Sequence, residues 1–287
     1  MKKVLFASTA LVLTAGVAAA EVTISGSANM GLYYSEAAGN TIVKNEIDFD
    51  VKGSGETDGG ISFGASVDLD ADSNNSAHVT GGGASDPEVF ISYEGLTLTV
   101  GNIGEANDVG GIADVGFDGL GVDDIVDVLR ETGSDDVRID YSFGDMAVAV
   151  SADSSNDEYA ISLSGSIDAF SVSVGYADRA FDNTATVTLG YSAGAFSVNA
   201  TYADSFYDTD PTAAVANASA DGWGIDASYT TGDLTLTAVY AERDTAGTKA
   251  DAYGIGVAYD LGGATLAGGF GEVAGDQRAD LGISFKF

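Results

Sequence analysis

Ten carboxylates and one base, Arg130, lie between Gly104 and Asp136. Asp108, Asp114, Asp118, Asp123, Asp124, Asp127 and Glu131 are spread through this run. Carboxylates at such density have three chemical uses: paired acid and base catalysis, a divalent cation site, or a local field that sorts charged solutes. Catalysis lacks partners. The single histidine, His78, stands in a polar stretch with no second base or ligand near it, and cysteine is absent. Gly53-Ser54-Gly55 precedes another alternating segment rather than a helix, so it fails the context of a nucleotide loop. No enzyme is expected. Asp70, Asp72 and Asn74 start like an EF-hand loop, but Asn75 stands at the sixth position and Gly81 at the twelfth, where Gly and Glu are needed. No cofactor is required on this reading; the clustered Asp123, Asp124 and Asp127 offer the oxygen ligands a divalent ion such as calcium takes.

The elements that must position these acids are strands. Val22, Ile24, Ala28, Met30, Leu32 and Tyr34 alternate with Thr23, Ser25, Ser27 and Asn29; Ile47, Phe49 and Val51 alternate with Glu46, Asp48, Asp50 and Lys52. This is the period of a two-faced strand. After a third such run from Ile61 to Leu69, others begin near Glu88, Leu96, Val137, Met146, Glu158, Phe170, Thr184, Phe196, Trp223, Leu234, Ala250, Ala264 and Gln277, sixteen in all. Very short turns at Glu94-Gly95, Gly144-Asp145, 166–169, 192–195, 231–233 and 261–263 alternate with longer polar breaks at 71–87, 104–136, 204–222 and 242–249. The pattern predicts an all-β, transmembrane, 16-stranded antiparallel up-and-down β-barrel.

Two groups of aromatics support a bilayer rather than a protein core around the apolar face. Tyr93, Tyr141, Phe143, Phe170, Tyr191, Phe196, Tyr229, Tyr259 and Phe285 fall near the short turns. Tyr34, Tyr159, Tyr176, Tyr202, Trp223, Tyr240, Tyr253 and Phe270 fall toward the longer breaks. Amphipathic rings belong at both headgroup levels. The opposite face holds Asp48, Asp68, Asp140, Asp226 and Asp280, which a dry core cannot absorb. A barrel of this strand number leaves an aqueous channel instead.

Composition agrees. Hydrophobic residues make up 45% of the chain, so the formal charge of −33 does not signal disorder, and 39 glycines with 2 prolines suit strands that need every backbone donor. Such charge excludes nucleic acid as a partner. Lys2, Lys3, the apolar run to Val17 and Ala18-Ala19-Ala20 read as a signal peptide over residues 1–20, leaving 21–287 as the barrel.

The Glu-Val start, "SGSANMGLYY", "YSAGAFSV", "YDLGGATLAGGF" and the terminal "ADLGISFKF" resemble the general-diffusion porins of alphaproteobacteria, the Rhodobacter type. The resemblance implies a homotrimeric barrel in the Gram-negative outer membrane, among lipid and lipopolysaccharide, passing small hydrophilic solutes. It also implies that Phe287 belongs to the C-terminal signal read by the barrel-assembly machinery, that residues 71–87 match the family's intersubunit latch in position, and that 104–136, the third long loop, folds inward to narrow the channel. Val122, Ile125, Val126 and Leu129 supply one apolar stripe of a short helix for that fold, with Asp123 and Asp124 at its start, Gly133 at its end, and Asp123, Asp124, Asp127 and Glu131 toward water. The pore wall is expected to carry Lys44, Glu46, Asp48, Asp50, Asp68, Arg138, Asp140, Asp226 and Asp280. Because acids outnumber bases there, cation preference is expected. A substrate-specific outer-membrane channel and a soluble secreted calcium-binding β-protein are the alternatives.

Overall fold

A computed structural model describes residues 21–74, 81–130, 134–207 and 219–287; the expected signal peptide, His78, Glu131 and Gly133 lie outside them. Alternating apolar and polar residues fold into β1 (Glu21–Ser35), β2 (Asn40–Glu56), β3 (Ser62–Asn74), β4 (Gly81–Tyr93), β5 (Leu96–Gly104), β6 (Ser134–Phe143), β7 (Met146–Asp153) and β8 (Glu158–Ile167). They continue through β9 (Phe170–Asp178), β10 (Asp182–Ala193), β11 (Phe196–Tyr207), β12 (Ser219–Thr231), β13 (Leu234–Thr245), β14 (Thr248–Asp260), β15 (Ala264–Val273) and β16 (Asp276–Lys286). Every strand pairs antiparallel with its sequence neighbours, and β1 pairs with β16, so the described residues form a closed barrel with no free edge.

The seam closes at the C-terminus. Gly26 and Phe287 exchange backbone hydrogen bonds of 2.9 Å in both directions. The Phe287 ring lies edge-on to Phe49 at 5.5 Å, and the missing side chain of Gly26 leaves room for it.

Register sorts the faces as the alternation predicts. Phe170 is paired with Tyr191 and Phe196 with Tyr229 near the short turns, while Tyr202 is paired with Trp223 and Tyr240 with Tyr253 toward the other end. Phe170 and Tyr176, or Phe196 and Tyr202, are six residues apart on one strand face. At about 3.3 Å per residue the two aromatic levels stand about 20 Å apart. Ile161, Leu163, Leu189, Ile255 and Leu281 are exposed on the band between them.

Strand ends depart from the sequence expectation. β4 starts at Gly81 rather than near Glu88, and β12 at Ser219 rather than near Trp223. The apolar alternation stops at the hydrocarbon edge, but backbone hydrogen bonding continues into the polar region beyond it. The break expected at 242–249 shrinks to a two-residue turn, Ala246-Gly247, with φ of 52° and 85°. Both positive values match the type I′ hairpin, whose twist suits antiparallel strands. Only the segment between β5 and β6 leaves the ladder for long among the described residues.

That departure begins with a register shift between Val100 and Ile103. Gly101 sits there at φ 153°, its α-carbon against the Pro87 carbonyl on β4. A side chain at this position would overlap that oxygen in a backbone region L-residues avoid. Gly101→Ala is therefore expected to destabilise the folded barrel by about 1–3 kcal/mol. The midpoint of urea unfolding, followed by the gel shift between folded and unfolded forms, measures this; an unchanged midpoint contradicts it.

Candidate functional site

Between β5 and β6 the chain turns into the barrel, and its sequence explains where it rests. Ile112, Val115, Leu120, Val122, Ile125, Val126 and Leu129 are all buried, packed with Ala203, Ala220, Val239, Ala241, Ala252 and Val273 on the inner face of β11 to β15. The wall beneath is planed flat by glycine. Val115 lies over Gly254 and Gly256, Ile112 over Gly224, Leu129 over Gly222, and Phe117 over Gly31 and Gly282. A Cβ at Gly254 would stand 2.6 Å from Val115, so the loop fits only because these inward positions are empty. The sequence reading did not use these glycines, although their alternate spacing in Gly222-Trp223-Gly224 and Gly254-Ile255-Gly256 was visible.

All four residues of the apolar stripe, Val122, Ile125, Val126 and Leu129, are buried as expected. The helix is shorter than the stripe: α1 spans Asp124–Asp127, with Asp123 as its N-cap and Val128 as its C-cap. Of the acids expected toward water, Asp124 is exposed and Asp123 is half-buried. Asp127 departs from expectation, because its carboxylate is taken by the Arg130 guanidinium. Burial and the neighbouring carboxylates of Asp114, Asp127 and Asp124 push the Asp123 carboxyl up to about 7. Among the described residues no three Asp, Glu or His side chains group as a metal site.

Arginines fasten the loop at both ends. Arg130 is fully buried, bridges Asp127 and Asp108, and donates to the carbonyl of Gly110. Arg179, between β9 and β10, grips Glu105 through Nε at 2.7 Å and through Nη2, reaches Asp182 at 2.8 Å, and donates to the Arg130 carbonyl at 3.1 Å. Arg278 donates to the carbonyl of Leu120 at 2.7 Å, and Arg243 to that of Ile125 at 3.4 Å. The sequence reading missed Glu105, Arg179, Arg243 and Arg278; only the lone base in an acidic run marked Arg130 in advance.

Wall carboxylates hold the loop's amides, which corrects the expected role of two of them. Asp226 and Asp280 point inward but are buried under the loop, 2% and 7% exposed, instead of lining water. Asp226 accepts from the Ala113 amide at 3.1 Å and from Asn199. Asp280 accepts from the amides of Phe117 at 2.9 Å, Asp118 at 3.3 Å and Gly269 at 2.7 Å. Asp114 also turns from the lumen and caps the amides of Val115, Gly121 and Val122 within the loop.

Across the barrel, among the described residues, the loop touches β2 only through Asp118 at Lys44 and leaves the acidic stretch of β2 and β3 uncovered. Asp50 is paired with Asp68 and Asp48 with Asp70, four carboxylates on the inward face, with Glu46 one step further along β2. Like charges directly opposite in a sheet repel, and water in the lumen is what makes the arrangement tolerable. Cations near the passage are largely engaged: Lys44 pairs with Asp118 of the loop, and Arg138 holds Asp140 through Nε and Nη2 at 3.0–3.1 Å. Lys52 lies over the inward Phe90 ring at 5.1 Å. The structure thus brings Asp118 to Lys44 and Asn29, leaves Asp108 and Asp124 at the loop surface, and leaves Glu46, Asp48, Asp50 and Asp68 on the facing wall.

The sequence matches the family model of the Gram-negative porins over residues 7–278. The chain belongs to the Gram-negative porin family. A porin of Fuscovulum blasticum is 33% identical over 92 residues, and the match spans 31% of this chain and 31% of that relative. Two solved mutants of Rh. blastica porin share the fold, with TM-scores of 0.77 and 0.76; each is 23% identical, covering 93% of this chain and 100% of theirs. Family and fold place this porin in the outer membrane and point to a channel rather than an enzyme.

Removing one partner of the buried Glu105–Arg179 pair strands the other, at a cost of about 3–5 kcal/mol. Arg179→Met should therefore free the loop from β9 and β10 while the porin barrel stays closed. Amide hydrogen exchange checks this: protection should fall at Ala106 and Asn107 and persist in the strands, and full protection at Ala106 would contradict it.

Proposed function

We propose that this porin forms a water-filled, cation-preferring channel for passive diffusion of small hydrophilic solutes and ions. One observation carries the sign of the preference. Arg130, Arg179, Arg243 and Arg278 are spent on the loop, Lys44 on Asp118 and Arg138 on Asp140, whereas Glu46, Asp48, Asp50, Asp68 and Asp70 face the lumen as a block. A low-dielectric wall around a narrow aqueous path concentrates such a field, enriching cations and depleting anions. The loop and the acidic wall then form one negative passage in place of an eyelet with opposed signs.

A homotrimer, contacts with lipid and lipopolysaccharide, and recognition of Phe287 by the barrel-assembly machinery belong to the same proposal, supported by family membership. A calcium ion at Asp123, Asp124 and Asp127 is a separate proposal that this reading does not need; calorimetric titration without saturable uptake disposes of it.

The reversal potential of the reconstituted protein in a planar bilayer under a salt gradient tests the preference. It should carry the sign of cation selectivity, and combined Asp48→Asn, Asp50→Asn and Asp68→Asn should lower the permeability ratio several-fold; anion preference in the wild type overturns the reading. A pH dependence follows from Asp123. Its raised value means the carboxyl gains charge as pH rises through about 7 and loses it below. Cation preference should therefore be stronger at about pH 8 than at about pH 6, and Asp123→Asn should flatten that difference. Stability runs the opposite way: loop adherence carries no penalty from Asp123 while the carboxyl is neutral at low pH, and it weakens as pH rises from the usual carboxylate range through about 7.

A further inference from the structure

Where the loop rejoins the wall, one buried carboxyl has no cationic side chain paired with it among the described residues. Asp135, the second residue of β6, is 3% exposed, and its Oδ2 is buried without a hydrogen-bond partner. Its other contact is the Ser151 hydroxyl on β7. That hydroxyl accepts the Ala106 amide at 2.7 Å. Ser151 therefore links the first turn of the loop, through Ala106, to its return point, through Asp135. Val137 is level with Ala152, and Ala152 with Tyr159 of the upper aromatic row, so Asp135 stands two residues beyond the membrane band.

Three carboxylates face Asp135, Glu105 from the loop, Asp153 from β7 and Glu158 from β8, while its partner on β5 is the apolar Ile103. Arg179, at the turn after β9, is taken up by Glu105 and Asp182. Glu158 receives the Ala180 amide. A carboxylate placed here would be buried with the Ser151 hydroxyl as its one side-chain donor, an unpartnered oxygen and three like neighbours, so burial outweighs the hydroxyl's help. A carboxylic acid leaves the same oxygen unpartnered but carries no charge to strand or repel, and an unpaired neutral oxygen costs far less to bury than an unpaired anion. A metal ion is the other way to neutralise the charge, and no three carboxylates among the described residues are grouped to hold one.

We propose that Asp135 keeps its proton in the folded channel and that this neutral acid, with Ser151, forms a clasp joining the two ends of the constriction loop. Loss of the proton at alkaline pH sets Asp135 against Glu105, Asp153 and Glu158. The clasp opens, the loop root loosens, and the constriction widens or fluctuates. The inference rests on the channel reading for its effect on current, but the proton itself does not.

Two measurements test it on the full-length barrel in an Asp123→Asn background, which removes the carboxyl that burial and acidic neighbours push up to about 7. Infrared difference spectra at about pH 8, where ordinary carboxyls are ionised, should show the C=O stretch of a protonated acid, and Asp135→Asn should remove it. In planar bilayers, single-channel conductance or open-channel noise should rise at least twofold between about pH 7 and about pH 10. Asp135→Asn, which copies the neutral shape, should abolish that rise, and Ser151→Ala should give the loosened behaviour already at pH 7. Absence of the infrared band, or the same pH dependence in Asp135→Asn, overturns the inference. Absence of any conductance, with the band present, overturns the channel reading instead.

Discussion

A polypeptide inside a barrel has left the ladder that satisfied its backbone, and every amide and carbonyl it buries there must find another partner. This chain meets that constraint with wall side chains. Asp226, Asp280 and Ser151 accept from loop amides, while Arg179, Arg243 and Arg278 donate to loop carbonyls. The requirement fixes the position of the loop more tightly than its apolar stripe does, because hydrogen bonds are directional and hydrophobic contact is not. It also fixes the charge of the channel. A chain with few bases that assigns several of them to a loop has few left to offset the acids on the facing wall.

Shape follows from the same arrangement. The loop needs a flat wall, and glycine at inward positions of β12, β14, β15 and β16 supplies it. At those glycines the strands have no inward side chain, and the loop's side chains take the space. Strands β2 and β3 keep charged inward side chains, and among the described residues no part of the loop packs over Asp48, Asp50, Asp68 and Asp70. The barrel is thus divided lengthwise into a filled half, with buried ion pairs and apolar contacts, and a wet half that carries like charges in register.

Much of this was legible in the sequence, and for an identifiable reason. Period-two alternation is imposed on every strand by lipid outside and water inside, so strand number, closure and the two aromatic rows could be read directly. Ends were harder: Gly81 and Ser219 begin strands in polar sequence because hydrogen bonding does not stop where hydrocarbon does. The stripe from Val122 to Leu129 correctly foretold burial, yet only one turn became α-helix. Asp127 was read as a water-facing acid because a helical wheel does not contain Arg130's fold back onto it.

Asp226 and Asp280 show the limit of parity most clearly. Alternation places both on the inner face, as it places Asp48, Asp50 and Asp68, and carries no information about what lies over them. The distinguishing signal sits in their neighbours. Along β12 the inward residues run Gly222, Gly224, Asp226, and along β16 they run Asp280, Gly282; along β2 they run Glu46, Asp48, Asp50. An inward acid beside inward glycines stands under another piece of chain, since glycine clears space only where backbone or side chain comes close. An inward acid within a run of acids has no such cover, because no loop backbone supplies enough amides to neutralise the run. One residue type therefore does two jobs in this lumen, anchoring on one wall and setting the field on the other, and the glycines separate them.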